Sequence, residues 1–400
     1  MQISLYWLIL LLVMVGIPLS GGMMLDLFLT ALVGIDIIIL VKRRFQIEKK
    51  QATVYVTAIL LLAWQLLLLV YHGSGANRIV QTMACILTFW ACSLQRGQDI
   101  YRHMQRIALL LLASWAIFWL LNPQWSTFSA YFNNSNTMGA MAANLLAVFL
   151  TYPPRTKLMR AVAIGGGTFF LLISGSRSAL LMIVVMVATL ILVEYGPKWI
   201  RHIGMSGLFY CVLIGVLAFT MVYPTLTQTE LGTRLNLWSL DVFGKQFFSG
   251  REDFWGQILA VVVRRPIMGY GLGVSINSIT NKDLSSHSLY LQTALQSGLV
   301  GLLLLLLLLY RIFQILQQRK HTAAYAAAAF LLGVLVHECF EVSLTQNNWP
   351  TGMFVWMLLG FAIQARWTER NPLFGMLRDC EQKVGQIMPQ TKDAADNSRG

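Results

Sequence analysis

Apolar residues fall in blocks along nearly the whole chain, at 4–20, 24–41, 53–71, 79–94, 107–121, 137–152, 161–174, 179–195, 205–222, 287–310, 322–338 and 351–366. Most are about 15 to 24 residues long, the length a helix needs to cross a bilayer core. The blocks are continuous rather than alternating, so they predict helices and not the short strands of a membrane barrel. The expectation is an all-α polytopic membrane protein with about 12 transmembrane helices. Residues 1–366 would form one membrane domain, and 367–400, polar and mixed in charge, a flexible tail. One long polar interruption breaks the series, residues 223–286, between the ninth and tenth blocks.

Within that interruption the spacing predicts a helix over 251–265, with Phe254, Ile258, Leu259, Val262 and Val263 at helical intervals. Ser249 is placed to cap it, with Glu252 three residues on as in a capping box. Pro266 ends it, and Gly269, Gly271 and Gly273 make the following backbone permissive. A helix of this kind is expected to lie on the membrane surface with its apolar side down. The chain re-enters the membrane at His287-Ser288, and Gly298 and Gly301 follow on the next block, where they allow close approach of another segment. Gly165-Gly166-Gly167 predicts close helix packing in the same way.

Composition agrees with the pattern. The chain is 56% hydrophobic and only 12% charged, where soluble domains carry roughly a quarter of their residues charged. A net charge of +13 suggests nucleic acid until the charges are placed. With the N-terminus in the cytoplasm, the inner loops hold sixteen lysines and arginines, from Lys42 to Lys320, while the short outer loops hold only Arg78 and Arg177. That asymmetry is the positive-inside signal, so the charge marks topology beside a lipid bilayer and not nucleic-acid binding. Both termini are then cytoplasmic, and 223–286 is extracytoplasmic. Met1-Gln2-Ile3-Ser4 lacks a basic stretch, so the first block reads as a membrane helix and not a cleaved leader. The five cysteines show no metal or redox spacing. Asp36, inside the second block, marks either a function or a locally satisfied acid.

Several ionisable groups share the outer face. Arg177 sits in the turn Gly175-Ser176-Arg177-Ser178, against the positive-inside trend, where its fork and open N–H groups suit phosphate oxygens. Arg251, Arg264, Arg265 and Arg234 lie in the long loop and are candidates for the same anion, with headgroup anchoring the alternative for Arg264 and Arg265. His287, at the membrane boundary, is a candidate base or donor. His337 and Glu338, with Glu341, form a secondary acid–base candidate. The aromatics Trp125, Tyr131 and Phe132 in the loop 122–136 suit interfacial anchoring or sugar stacking.

In order along the chain, Gly175-Ser176-Arg177-Ser178-Ala179-Leu180, Ser249-Gly250-Arg251-Glu252-Asp253-Phe254-Trp255, Arg265-Pro266 through Gly273, and His287-Ser288 with its downstream glycines resemble the O-antigen ligase and polymerase superfamily. The resemblance covers about 130 to 345. It implies a bacterial inner-membrane protein with a GT-C-like fold, acting as an inverting, metal-independent glycosyltransferase without a cofactor. It also implies Arg177 and Arg251 as essential arginines and His287 as the essential histidine. The donor would be a glycan on undecaprenyl pyrophosphate. The acceptor would be lipid A–core for a ligase, or a second lipid-linked glycan for a repeat-unit polymerase of O-antigen, capsule or exopolysaccharide. The spacing from His287 to Gly298 and Gly301 tilts the resemblance toward ligases. Twelve helices with both ends inside also suit a transporter, but transporters place their sites at mid-membrane, not in an outer loop.

Overall fold

A computed structural model describes residues 30–44, 47–95, 98–244, 246–248, 250–280, 285–319, 322–346 and 349–364. The first expected block, the start of the second and the tail 367–400 lie outside the described residues. Among the described residues every regular element is helical. After α1 (30–42) come α2 (Ala52–His72), α3 (Ala76–Ser93), α4 (Gln98–Leu121), α5 (Ser135–Thr151), α6 (Lys157–Ser174), α7 (Arg177–Tyr195) and α8 (Lys198–Leu226). The polar interruption holds three more helices, α9 (Glu230–Phe243), α10 (Arg251–Arg264) and the short α11 (Asn277–Thr280). Then follow α12 (Leu289–Gln318), α13 (Thr322–His337) and α14 (Trp349–Gln364).

Six of these, α2, α4, α6, α7, α8 and α12, hold a stretch long and apolar enough to cross a bilayer, while α13 and α14 are apolar but shorter. The chain is a polytopic helical membrane protein. Small residues set its closest contacts. α13 is rich in alanine and buried almost throughout. A Cβ at Gly333 would lie 2.2 Å from the Met182 carbonyl oxygen of α7, and one at Gly167 would lie 2.8 Å from Leu146 of α5. Such contacts let helices associate in lipid, where hydrophobic burial between them contributes little. Some polar groups in the interior pair across helices. Thr88 donates to Asp36 Oδ2 at 2.7 Å, and Trp64 to the Ser297 carbonyl at 2.9 Å. One Asp36 carboxylate oxygen is thereby held, while the buried Oδ1 has no partner among the described residues.

α12 is broken where it matters for the loop. Gly298 has φ 68 and ψ −178, a conformation that only glycine adopts readily, and the helix axis kinks there. The freed backbone groups are taken by the glycine-rich segment after α10. Leu299 N–H donates to Pro266 O at 2.7 Å, Tyr270 N–H to Leu295 O at 2.8 Å and Gly271 N–H to Gln296 O at 3.1 Å. The fit is tight, since a Cβ on Gly269 would lie 2.6 Å from Leu295 O. The expected close approach at Gly298 is therefore made by the loop's own backbone.

α10 spans nearly the predicted residues but not in the predicted setting. Its apolar side, Phe254, Trp255, Ile258 and Val262, is buried against α8 and α12 and does not lie on the membrane surface. The Tyr223 ring lies tilted against Trp255 at 5.1 Å, and Trp255 donates to Ser286 O at 2.8 Å, so the protein supplies partners that a bilayer lacks. The cap also differs. Ser249 lies outside the described residues, and the N-cap is Gly250 at φ 80. Its N–H donates to Glu252 Oε1 at 3.1 Å, a reach-back like that of a capping box but set one residue later than expected.

Candidate active site

Three elements remote in sequence meet at the start of α10. Arg251 is the first residue of that helix. His287 sits in the link before α12. Glu341 follows α13. Arg251 Nη2 lies 3.6 Å from Glu341 Oε1, and His287 Nδ1 lies 3.6 Å from Glu341 Oε2. Arg251 also donates to the Phe340 carbonyl at 2.9 Å, which fixes one arm of its fork. At 3.6 Å the carboxylate contacts are ion-pair distances, longer than hydrogen bonds, and they leave room to tighten around a substrate.

The local chain is shaped to hold this arrangement. His287 has φ 48, a left-handed backbone that non-glycine residues seldom adopt and that marks functional sites. Serines on both sides keep it there. His287 N–H donates to Ser285 Oγ at 3.2 Å, Ser286 Oγ donates to Ser288 O at 2.9 Å, and Ser288 Oγ caps α12. Leu289 N–H is shared between the carbonyls of Glu338 and Glu341 at 2.9 and 3.1 Å, tying the histidine link to the acidic loop.

The Glu338 carboxylate, fully buried, organises the loop from beneath. It accepts from Ser343 Oγ, and from Leu344 N–H at 3.2 Å, with His337 Nδ1 3.4 Å away. His337 and Glu338 are both out of reach of solvent. They shape the loop; Glu341 is the member of that group which faces the site.

The charges balance in a definite way. Burial lowers the Arg251 pKa, opposed by the charge of Glu341, and a guanidinium so placed stays cationic. Burial works to raise the Glu341 pKa, yet the His287 imidazole beside it and the charges of His337 and Arg251 outweigh this and hold it below the usual value of 4.5. A carboxyl lowered on folding adds stability above its unfolded pKa and loses it as pH falls through the folded value. The expected result is that thermal stability in detergent falls from pH 6 toward pH 3 more steeply in the native protein than in Glu341→Gln. Parallel pH curves would exclude Glu341 as the ionised centre of the cluster.

The other predicted residues are placed differently. Arg177 opens α7 and is exposed. It donates to the Gln246 carbonyl at 2.8 Å and more weakly to Ser239 Oγ at 3.4 Å, and its charge reaches Arg251. Two N–H groups of its turn are taken within the turn, Gly175 N–H by Leu172 O and Ser176 N–H by Ser174 Oγ. Arg264 and Arg265 close α10, about 20 Å from Arg251 by helical rise. The Arg265 guanidinium lies over Tyr270, 4.9 Å from the ring centroid. Arg234 pairs with Glu230 one turn earlier at 2.6 Å on the exposed side of α9. Tyr131 and Phe132 are core residues, leaving Trp125 exposed.

The cluster can therefore do two things at one boundary. It presents guanidinium groups to an anion, and it presents an imidazole whose Nδ1 faces a carboxylate, which leaves Nε2 for a substrate hydroxyl. Residues 161–306 match the family model described as O-antigen ligase, which supports the O-antigen ligase superfamily and an enzyme of the glycosyltransferase type acting on glycans. The match includes Arg177, Arg251 and His287 and ends before Glu341. No curated protein matches the chain.

Proposed function

We propose, with the O-antigen ligase match as premise, that this membrane protein transfers a glycan from undecaprenyl pyrophosphate to a sugar hydroxyl, most readily that of lipid A–core. The observation that carries this reading is the meeting of Arg251, Glu341 and His287 through two 3.6 Å contacts. The acceptor oxygen attacks the anomeric carbon from the side opposite the diphosphate, and its proton passes to His287 Nε2. The bond from the anomeric carbon to the diphosphate oxygen breaks, with inversion, and undecaprenyl pyrophosphate leaves with its electron pair. Arg177 and Arg251 neutralise that growing charge near a low-dielectric boundary, the place where a fixed cation contributes most. Glu341 orients the imidazole and stabilises its protonated form, as a carboxylate does for a catalytic histidine.

Supporting the same reading, the basic loops favour both termini in the cytoplasm and the loop 223–286 outside. The site then opens on the periplasmic face of the inner membrane. In a GT-C-like arrangement of about twelve spans over 1–366, it lies where a lipid-linked donor presents its diphosphate.

Purified protein with undecaprenyl-pyrophosphate glycan and either lipid A–core or a second donor tests this. Capped lipid A–core identifies a ligase; longer lipid-linked polymer identifies a polymerase. His287→Asn keeps a residue that tolerates the left-handed backbone, so it is expected to insert and fold, melting somewhat lower because Glu341 loses a partner. Transfer should fall about 10²–10⁴-fold with loss of the base. Undiminished transfer by this variant overturns the mechanism.

A further inference from the structure

α9 carries an arrangement of side chains that the mechanism above does not use. At 3.6 residues per turn ten of its fourteen positions sort into three stripes. Gly232, Asn236 and Ser239 face the protein. Asn236 Oδ1 accepts from Phe247 N–H at 2.9 Å, Ser239 meets Arg177, and a Cβ on Gly232 would lie 1.9 Å from Leu226 O. About a quarter-turn round, Leu231, Leu235, Trp238 and Val242 form an apolar stripe roughly 60° wide. Leu231, Trp238 and Val242 are 58, 53 and 56% exposed. On the side away from the protein lie Glu230, Arg234 and Asp241, all exposed, with the single exposed Leu237 beside them and Leu240 further round.

A soluble surface helix turns its apolar stripe toward the core. Here the inward stripe is small and polar, and the apolar one points sideways. The charged stripe is set about 90° from the apolar stripe, the relation expected of a helix lying in a membrane interface with one side in hydrocarbon and another in water. The connection fixes the depth. α8 contains a candidate span, His202–Leu226, whose late residues Met221 and Val222 are exposed apolar side chains. Only Thr227, Gln228 and Thr229 separate it from α9, so α9 starts within about 10–15 Å of the end of that span. Its apolar stripe continues a lipid-facing surface.

We infer that α9 lies in the outer leaflet with Leu231, Leu235, Trp238 and Val242 in acyl-chain hydrocarbon, and that it forms the lip between the bilayer and Arg177. The second clause rests on the proposed function. Arg177 bonds to Ser239 on this helix and to Gln246 just beyond it. A diphosphate carried laterally by a lipid would meet α9 first and exchange these neutral partners for its own charged oxygens.

Photocrosslinking in the intact protein tests the placement. A benzophenone amino acid is placed singly at 231, 238, 242, 234 and 241 in vesicles of phosphatidylethanolamine and phosphatidylglycerol, and adducts are read by mass spectrometry. Acyl-chain adducts at 231, 238 and 242, at least tenfold above those at 234 and 241, are expected. Equal labelling at all five positions, no lipid adduct, or adducts to a second protein chain at 238 overturns it. A kinetic arm tests the lip. Leu231→Asp with Trp238→Asp should raise KM for the polyprenyl donor about tenfold while leaving kcat, and KM for a short-chain soluble donor, nearly unchanged. An equal loss with both donors overturns the lip. If the native protein transfers no glycan at all, the proposed function fails while the crosslinking still decides where α9 lies.

Discussion

Arg251→Ala is expected to reduce glycan transfer about 10²–10³-fold, the cost of removing one preorganised group from a developing oxyanion, while the protein remains inserted. The variant has a second effect that identifies the cause. Without the guanidinium, Glu341 loses its cationic neighbour on one side, and burial then pushes its pKa upward. A carboxyl nearer neutrality is a poorer partner for His287, so the pH–rate profile should shift as well as fall. Arg251→Lys keeps a charge but not the fork that reaches Phe340 O and Glu341 together, and intermediate activity is expected. Adding Glu341→Gln to Arg251→Ala removes the acid left without its guanidinium, so stability should recover in part and transfer should not. A double variant that regains transfer would show that Arg251 serves only to neutralise Glu341. The measurements are single-turnover transfer against pH and melting in detergent.

The second large effect is structural. Gly298→Ala is expected to destabilise by roughly 3 kcal/mol or more, because it combines a strained backbone with a forced separation. The new Cβ would sit 1.9 Å from Ile267 O, a backbone atom that cannot swing aside. Either α12 straightens or the segment 266–271 leaves, and then its three hydrogen bonds to the break are lost. Gly165→Ala is the control, since nothing lies within 4 Å of its Cβ and the residue is helical. It should be neutral or slightly stabilising, as alanine for glycine is in a helix interior. Comparable melting of the two variants would refute the account of the break.

Which parts were readable in advance follows from the range of the forces. Helix positions depend on runs of apolar residues, so from 52 onward each described membrane helix overlaps an expected block. Arg251 and His287 are candidates from the sequence because one lies in the long polar loop within a stretch that resembles the family, and the other stands at a membrane boundary. Glu341 was grouped with His337 and Glu338, but its place depends on contacts 90 residues back to Arg251 and 54 back to His287. No local pattern encodes such contacts. The settings of α9 and α10 could not be told apart from periodicity either. An apolar stripe records that something apolar lies beside it, and protein and lipid satisfy it equally. Only the tertiary partners, Tyr223 and Ser286 around Trp255, assign α10 to the protein.

The break at Gly298 divides α12 into two rods with different allegiances. The inner rod, 299–318, is braced at its far end, where Arg319 pairs with Glu48. The outer rod, 289–297, is stitched by backbone to the glycine-rich segment and through Leu289 to the acidic loop. His287, although it stands next to a membrane helix, is thus carried by the loop layer of the molecule. Leu299 N–H bonds to Pro266 O and Trp64 to Ser297 O, so both rods are gripped at the glycine and the break is a fixed bend that sets where the imidazole stands relative to the spans.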